Sequence, residues 1–501
     1  MERSPYTGLE PAELWRHFAA LNAIPRPSGQ EGAASEYVRE IAEAAGAHWL
    51  ADRRGNTLVR IPGRAGADAH ETVAVQAHLD MVCESAPGVE QDFAHDPIAV
   101  RRDGDRIYAQ GTTLGADNGI GVAAALALLT EPGGAHGPLE LVFTVEEEIG
   151  LQGALHFDAS LLRARSLINL DSEDDTALTV GSAGGSEILL RLPLALDRLP
   201  AGWAVAELRV SGLTGGHSGV QIHEHRANAI KLLVDVLDKL QRAGVQPRLA
   251  SFEGGSAHNA IPRAGTVHLA IREDAQALAA RVVADGVREL ELEWGADEPG
   301  LSIQFEVMAT PLRVAADDGT SSRLVTLLRD LPHGVIAMSS RFPGTVETSA
   351  NLALVRTSTK QVEVLTSMRS STLEELSGIE SRVSALAAMA AASIETRGSY
   401  PAWPPREGSS LVACTVGAYR RVYGNEPRVE VVHGGLECGV LVANKPDLDA
   451  VSFGPLIKDA HTPGEHVYAS TVTTTWQLLV TLLAELAANP ATAGASVAPV
   501  L

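Results

Sequence analysis

Read from its residues, this chain is an α/β protein: a largely parallel mixed sheet flanked by helices, interrupted by an inserted, duplicated α+β lid. Three features carry that expectation. Over residues 11–180, helical spacing alternates with short apolar runs, as in "TVAVQAH", "LELVFTV" and "RSLINLD", which have the pattern of strands buried on both faces. Over 184–402 the strands become amphipathic. After "SYPAWPPRE", a Pro-rich hinge, the first pattern resumes. The domains expected are one split into 1–183 and 403–501, with a lid inserted at 184–402.

In order along the chain, "PAELWRHFAALNAI" and "EGAASEYVREIAEAAGA" have helical spacing, and "TLVRI" precedes the mostly apolar strand "TVAVQAH". "GADNGIGVAAALALLT" is a turn running into a helix of small apolar residues, followed by the strands "LELVFTV" and "RSLINLD". The lid offers the strands "AVAELRVSGL", "AGTVHLAIR", "LSIQFEVM" and "KQVEVLTSMRSS" and two long helices, "RANAIKLLVDVLDKLQRAG" and "LEELSGIESRVSALAAMAAA". Each half reads as strand–helix–strand, as a duplicated unit would. "SSLVACTVGAYRRVYG", "RVEVVHGGLECGVL" and "LDAVSFGPL" complete the α/β pattern before a last helix and a loose Pro/Ala-rich tail at 489–501.

Composition narrows the function. At 501 residues the chain exceeds one ordinary core. A formal net charge of −22 argues against nucleic acid, whose binding rests on basic patches. No apolar run is long enough for a membrane span, and the amino terminus lacks the apolar core of a signal peptide. Three cysteines, Cys83, Cys414 and Cys438, make no disulfide framework, so a cytoplasmic location is expected.

The chemistry collects at strand ends, where ligands bind in such sheets. His78 and Asp80 follow "TVAVQA" with a spacing that puts both on one face. Asp117 lies in a glycine-flanked turn before a helix, where a simple cap would account for one acid. Glu146, Glu147 and Glu148 terminate "LELVFTV", Asp171 ends "RSLINLD", and His461 follows "GPLIKDA". A run of acids at the mouth of a buried strand repels itself unless a cation offsets it. Two imidazoles and three carboxylates suit two divalent metal ions, with zinc favoured and manganese or cobalt also accommodated. Asp117 is the best bridge between them. Asp80 can fix the His78 tautomer, and one glutamate of the run must stay off the metals to take a proton from the attacking water.

These residues sit in "HLDMV", "GTTLGADNGIG", "TVEEEIGLQGA", "NLDSED" and "HTPGE", and the set resembles the dinuclear zinc exopeptidases related to aminoacylase and glutamate carboxypeptidase. With "HGGLECG" added, the similarity is greatest to the branch of bacterial aminoacyl-histidine dipeptidases, and it covers all but the last dozen or so residues. The resemblance implies a zinc-exopeptidase-like catalytic domain, with His78, Asp117 and Asp171 around one metal and Asp117, Glu148 and His461 around the other. It makes Glu147 the general base and Asp80 the residue orienting His78. From the lid it implies His217, in "GLTGGHSG", as the residue steadying the developing oxyanion. Asn259 and Arg369 become donors to a substrate carboxylate, and Glu437 a partner for the substrate's free amine. Cys83 and Cys438 match no ligand and read as buried small residues. The implied activity is hydrolysis of unblocked dipeptides, Xaa-His and β-alanyl-histidine among them. The alternatives that use the same site are N-acyl-amino-acid or carbamoyl amidohydrolases and aminotripeptidases; a metal-binding scaffold with a dead site is a further one. The expected assembly is a homodimer rather than a monomer.

Overall fold

The computed structural model describes residues 4–64, 67, 70–131, 133–308 and 313–488; the tail expected to be loose lies outside them. By its internal packing the chain divides into two compact units, Met1–Ser182 with Trp403–Leu501, and Ala183–Ala402. No helix among the described residues is long and apolar enough to cross a membrane.

The first unit is built on a sheet of eight strands. Their spatial order is His48–Ala51, Thr57–Ile61, Leu139–Thr144, Val73–His78, Ser166–Asn169, Asp449–Ser452, Ala177–Ser182 and Arg428–Val432. The four strands from Leu139–Thr144 to Asp449–Ser452 run parallel, and the edge pairs at His48–Ala51 are antiparallel. Val73–His78 and Leu139–Thr144 are buried at every position, the signature of a parallel sheet covered on both faces. Register then sets the site. Gln76 lies opposite Asn169 and His78 opposite Thr144, so two residues beyond the first pair His78 and Asp171 come level at the carboxyl edge.

The helix Ala116–Thr130 packs close behind that edge, buried along nearly its whole length. Small residues are required there. A Cβ on Gly121 would stand 2.1 Å from Asn118 Oδ1 and 2.8 Å from the Leu170 carbonyl.

The second unit carries an antiparallel sheet of nine strands. Eight lie in the order Ser302–Met308, Trp203–Ser211, Gly265–Arg272, Arg248–Gly254, Val346–Thr357, Gln361–Ser370, Gly184–Pro193 and Ser393–Tyr400, and Gly334–Met338 pairs beside Val346–Thr357. Four helices accompany it: Ala229–Arg242, Gln276–Trp294, Asp318–Asp330 and Leu373–Met389. Each half of the sheet has the same plan, with its strands in spatial order fourth, first, third, second. The halves are nested, not consecutive. Gly184–Pro193, first strand of one half, precedes the whole of the other in sequence. The helices Gln276–Trp294 and Asp318–Asp330 are additions to the two expected here. The buried stripe of the first, Ala279, Val283, Gly286 and Leu290, has about one small or apolar residue per turn, too faint a period beside its charges.

Candidate active site

His78 closes the buried strand Val73–His78, and its own side chain is buried. Its Nε2 lies 3.1 Å from Asp117 Oδ1 and 3.3 Å from Asp171 Oδ1. The other Asp117 oxygen, Oδ2, lies 3.0 Å from His461 Nε2, which is 3.1 Å from Glu148 Oε2. One carboxylate is therefore shared by two imidazoles, each of which meets a second acid. Ligand atoms of His78, Asp117 and Glu148 all fall within 4.8 Å of one another. His461 is the least enclosed of the set, with 52% of its side chain exposed, and it holds a left-handed φ of 62°.

Burial disfavours charge on each of these groups, and their mutual contacts decide the outcome. For His78 burial acts downward, but Asp171, Asp117 and Asp80 outweigh it and raise the imidazole well above its ordinary value. His461 behaves alike: against burial, Asp117 and Glu148 carry it to about 12. Asp117 is held low because two imidazoles overcome its burial. Burial, then the neighbouring Asp117 charge, raises Glu148, and burial raises Asp171 to about 6. The cluster thus draws positive charge into itself. Glu148 Oε1 is buried without a hydrogen-bond partner. Imidazole nitrogens among crowded carboxylates, with an acceptor to spare, fit divalent cations that displace the protons held there.

Around this set the strand ends are tied together by Asp80, which is fully buried. Asp80 Oδ1 stands 3.4 Å from His78 Nδ1 and accepts the Glu147 amide at 3.0 Å. Its Oδ2 accepts the Glu148 amide at 3.1 Å and the Ser28 hydroxyl at 2.7 Å. Glu147 is pushed well above the usual carboxylate range by burial and, against His78, by Glu148, Asp171 and Glu437. Glu146 turns to an ion pair with Arg54. Neither Ser28 nor Asn118 was singled out by sequence, yet Asn118 Nδ2 donates to Asp171 Oδ1 at 2.6 Å and to the Leu170 carbonyl. Asn118 adjoins a flagged acid and could have been found. Ser28, in "IPRPSG", carries no signal of its own.

Glu437, expected to partner the substrate's free amine, has a fully buried side chain. It begins the helix Glu437–Asn444, and its Oε2 accepts Gln76 Nε2 and the Thr144 hydroxyl, both at 2.6 Å. Burial raises it to about 8. Cys438 is buried, whereas Cys83 is only half-buried, its thiol lifted to about 11 by desolvation.

His217, Asn259 and Arg369 lie in the second unit. His217 pairs with Ala260 across the short ladder Gly216–His217/Ala260–Ile261, and the Asn259 carbonyl accepts the Ser218 amide at 2.7 Å. His217 Nδ1 accepts the amides of Gly219 and Val220, each at 3.1 Å. The ring proton is thereby assigned to Nε2. Arg369 donates from Nη1 to the Tyr400 hydroxyl at 2.8 Å, and its Nε is buried without a partner.

The family model described as peptidase family M20/M25/M40 matches residues 74–485. Cytosol non-specific dipeptidase of Escherichia coli (strain K12) is 37% identical over 486 residues, 97% of this chain and 100% of that protein. The crystal structure of aminoacylhistidine dipeptidase from Vibrio alginolyticus aligns over 96% of this chain and 98% of its own, at 37% identity and a TM-score of 0.83. Aminopeptidase PepT from Bacillus cereus ATCC 10987, at 17% identity and a TM-score of 0.56, shares the fold.

Proposed function

The chain belongs to peptidase family M20/M25/M40, and from that membership we propose a cytoplasmic dipeptidase that hydrolyses unblocked dipeptides, Xaa-His and β-alanyl-histidine among them, with two divalent cations. It is a metal-dependent hydrolase of peptide bonds. The sharing of Asp117 between His78 and His461 is the observation that carries the reading. One cation would be held by His78, Asp117 and Asp171, the other by Asp117, Glu148 and His461, zinc being the ion the imidazoles favour. When bound, such a pair lowers the pKa of water and polarises the scissile carbonyl.

The chain's own groups do the rest. Glu147 takes a proton from the attacking water and returns it to the departing amine. Its carboxyl is raised above the ordinary carboxylate range by burial and acidic neighbours, the direction that proton shuttling near neutrality calls for. Asp80 keeps that glutamate placed through its backbone amide and orients His78 through Nδ1. His217, with its proton on Nε2, is the donor we assign to the developing oxyanion. Arg369 is assigned to the substrate carboxylate, for which its planar fork is suited, with Asn259 as a second donor. Holding a free carboxylate favours short, unblocked peptides.

The test is a panel containing β-alanyl-histidine, other dipeptides, a tripeptide and an N-acetyl amino acid, run with metal analysis before and after chelation. Dipeptide turnover that chelation abolishes and added divalent metal restores is the expected result. Turnover of the acetylated compound alone, or activity indifferent to a strong chelator, would overturn the reading.

A further inference from the structure

Glu465 lies four residues beyond His461, buried to 2% exposure, and its carboxylate is consumed by another part of the chain. Oε2 accepts the amides of Leu114 at 2.7 Å and Gly115 at 3.0 Å. Oε1 accepts those of Ala116 at 2.7 Å and Asp117 at 3.2 Å. These four consecutive donors form the turn that delivers Asp117 at the start of the helix Ala116–Thr130, where the amides have no partners within the helix. The other side of the same turn is fixed too. Arg26 Nη2 donates to the Gly115 carbonyl at 2.6 Å, and Nη1 donates to the carbonyls of Leu79 and Asp80, both at 2.9 Å.

We propose that Glu465 is a positioning residue which locks the His461 loop to the Asp117 turn and so sets the affinity of the cation position formed by Asp117, Glu148 and His461. The inference rests on the two-cation reading given above. Its physical basis is unequal enclosure. His78 and Asp171 are fixed by level strand ends, whereas His461 stands half-exposed on a loop, in a left-handed backbone conformation that an L-residue adopts only under constraint. Glu465 provides a constraint of the required kind: its own amide donates to the Thr462 carbonyl at 3.0 Å, while its side chain grips the Asp117 turn. A cation spanning that junction depends on it through two of three ligands, and a cation at His78 and Asp171 through one.

The test is a metal-buffered Zn²⁺ titration of the full-length protein and of Glu465→Gln and Glu465→Asp, resolving the two stepwise dissociation constants, with thermal unfolding of the metal-free forms alongside. The glutamine keeps the shape but turns an amino group toward two amide donors. The aspartate keeps the charge but is too short to span four. Loss of an outer partner of a metal ligand weakens affinity by about 10- to 100-fold. In both variants that loss is expected at the step belonging to Asp117, Glu148 and His461, the less enclosed position and so the weaker step, with the other step changed much less. Equal weakening of both steps, with a fall in unfolding temperature, would make Glu465 merely structural and overturn the proposal. So would wild-type affinities in Glu465→Asp, since charge alone would then suffice. If Glu465→Gln does not fold, Glu465→Asp decides by the same readings. A wild-type protein that takes up fewer than two cations would remove the underlying reading and this inference with it; two cations unaffected by either variant would remove the inference alone.

Discussion

Glu146, Glu147 and Glu148 follow one another in the chain, and their neighbours give them separate fates. Glu146 pairs with Arg54, Glu148 meets His461 at 3.1 Å, and Glu147 is held by its amide on Asp80. Glu147→Gln is expected to lower kcat by about 10²- to 10⁴-fold, the usual worth of a proton-transfer group, while bound metal measured by elemental analysis stays at the wild-type level. Glu148→Gln is expected to lose metal, and Glu146→Gln to keep kcat within roughly three-fold, as for a surface ion pair. Silencing by the Glu146 change would put the register of the run one residue off. Glu437 supports a prediction in pH. Folded, it holds its proton to about pH 8; its ordinary value is 4.5. Between those values the unfolded chain releases a proton that the fold retains. Stability therefore falls as pH rises through the window, by up to ~1.4 kcal/mol per pH unit. Glu437→Gln has no proton to lose, so in urea unfolding of the metal-stripped protein its stability relative to wild type should climb from pH 5 to 8 and then level. A difference that ignores pH would mean Glu437 is ionised in the fold. Sequence could not have placed this residue, because "HGGLECG" reads as an open glycine-rich loop and its burial is made by Gln76 and Thr144, hundreds of residues away. His78 and Asp171, by contrast, announce themselves: each follows an apolar strand whose carboxyl end must lie at one edge.

Among the elements, the helix Ala116–Thr130 carries the most demanding contact. Gly121 faces Asn118 Oδ1 and the Leu170 carbonyl, and Asn118 in turn holds Asp171. Gly121→Ala adds one methyl with no room for it. Overpacking of this kind costs about 1–3 kcal/mol, and the cheapest relief is displacement of the Asn118 side chain. The variant should therefore be less stable in denaturant and also bind metal more weakly, the second effect being larger than for an alanine elsewhere on that helix. Destabilisation with unchanged metal affinity would show that Asn118 does not transmit the strain. The small-residue run made this helix readable, since "GIGVAAALALL" can only pack tightly. The second unit was readable in kind but not in order. Its amphipathic strands alternate as edge-exposed antiparallel strands do, yet the pairing of Gly184–Pro193 with Gln361–Ser370 and Ser393–Tyr400 joins segments far apart in sequence. No local period encodes that choice, so nested halves look consecutive.

Across the whole molecule, the five side chains assigned to cations all belong to the first unit, Met1–Ser182 with Trp403–Leu501. They are drawn from strand ends, a helix start and a loop that are distant in sequence, so a bound cation ties together segments that the unfolded chain leaves apart. The second unit has a core of its own, including Ile188, Leu233, Phe252, Leu269, Leu352 and Val364. A cation that binds only the folded form stabilises it by mass action, by about 2.7 kcal/mol when present at 100 times its dissociation constant. That stabilisation need not spread evenly, because local opening draws on local contacts. Hydrogen exchange followed by mass spectrometry, with and without a chelator, measures the distribution. Removing metal is expected to speed exchange in peptides covering 76–84, 113–121, 144–151, 168–173 and 455–466. Peptides from the core strands Gly265–Arg272 and Val346–Thr357 should exchange as before. Uniform acceleration through both units would mean that they open as one cooperative body, and no change in the first would deny the cluster its role as a cation-dependent clasp.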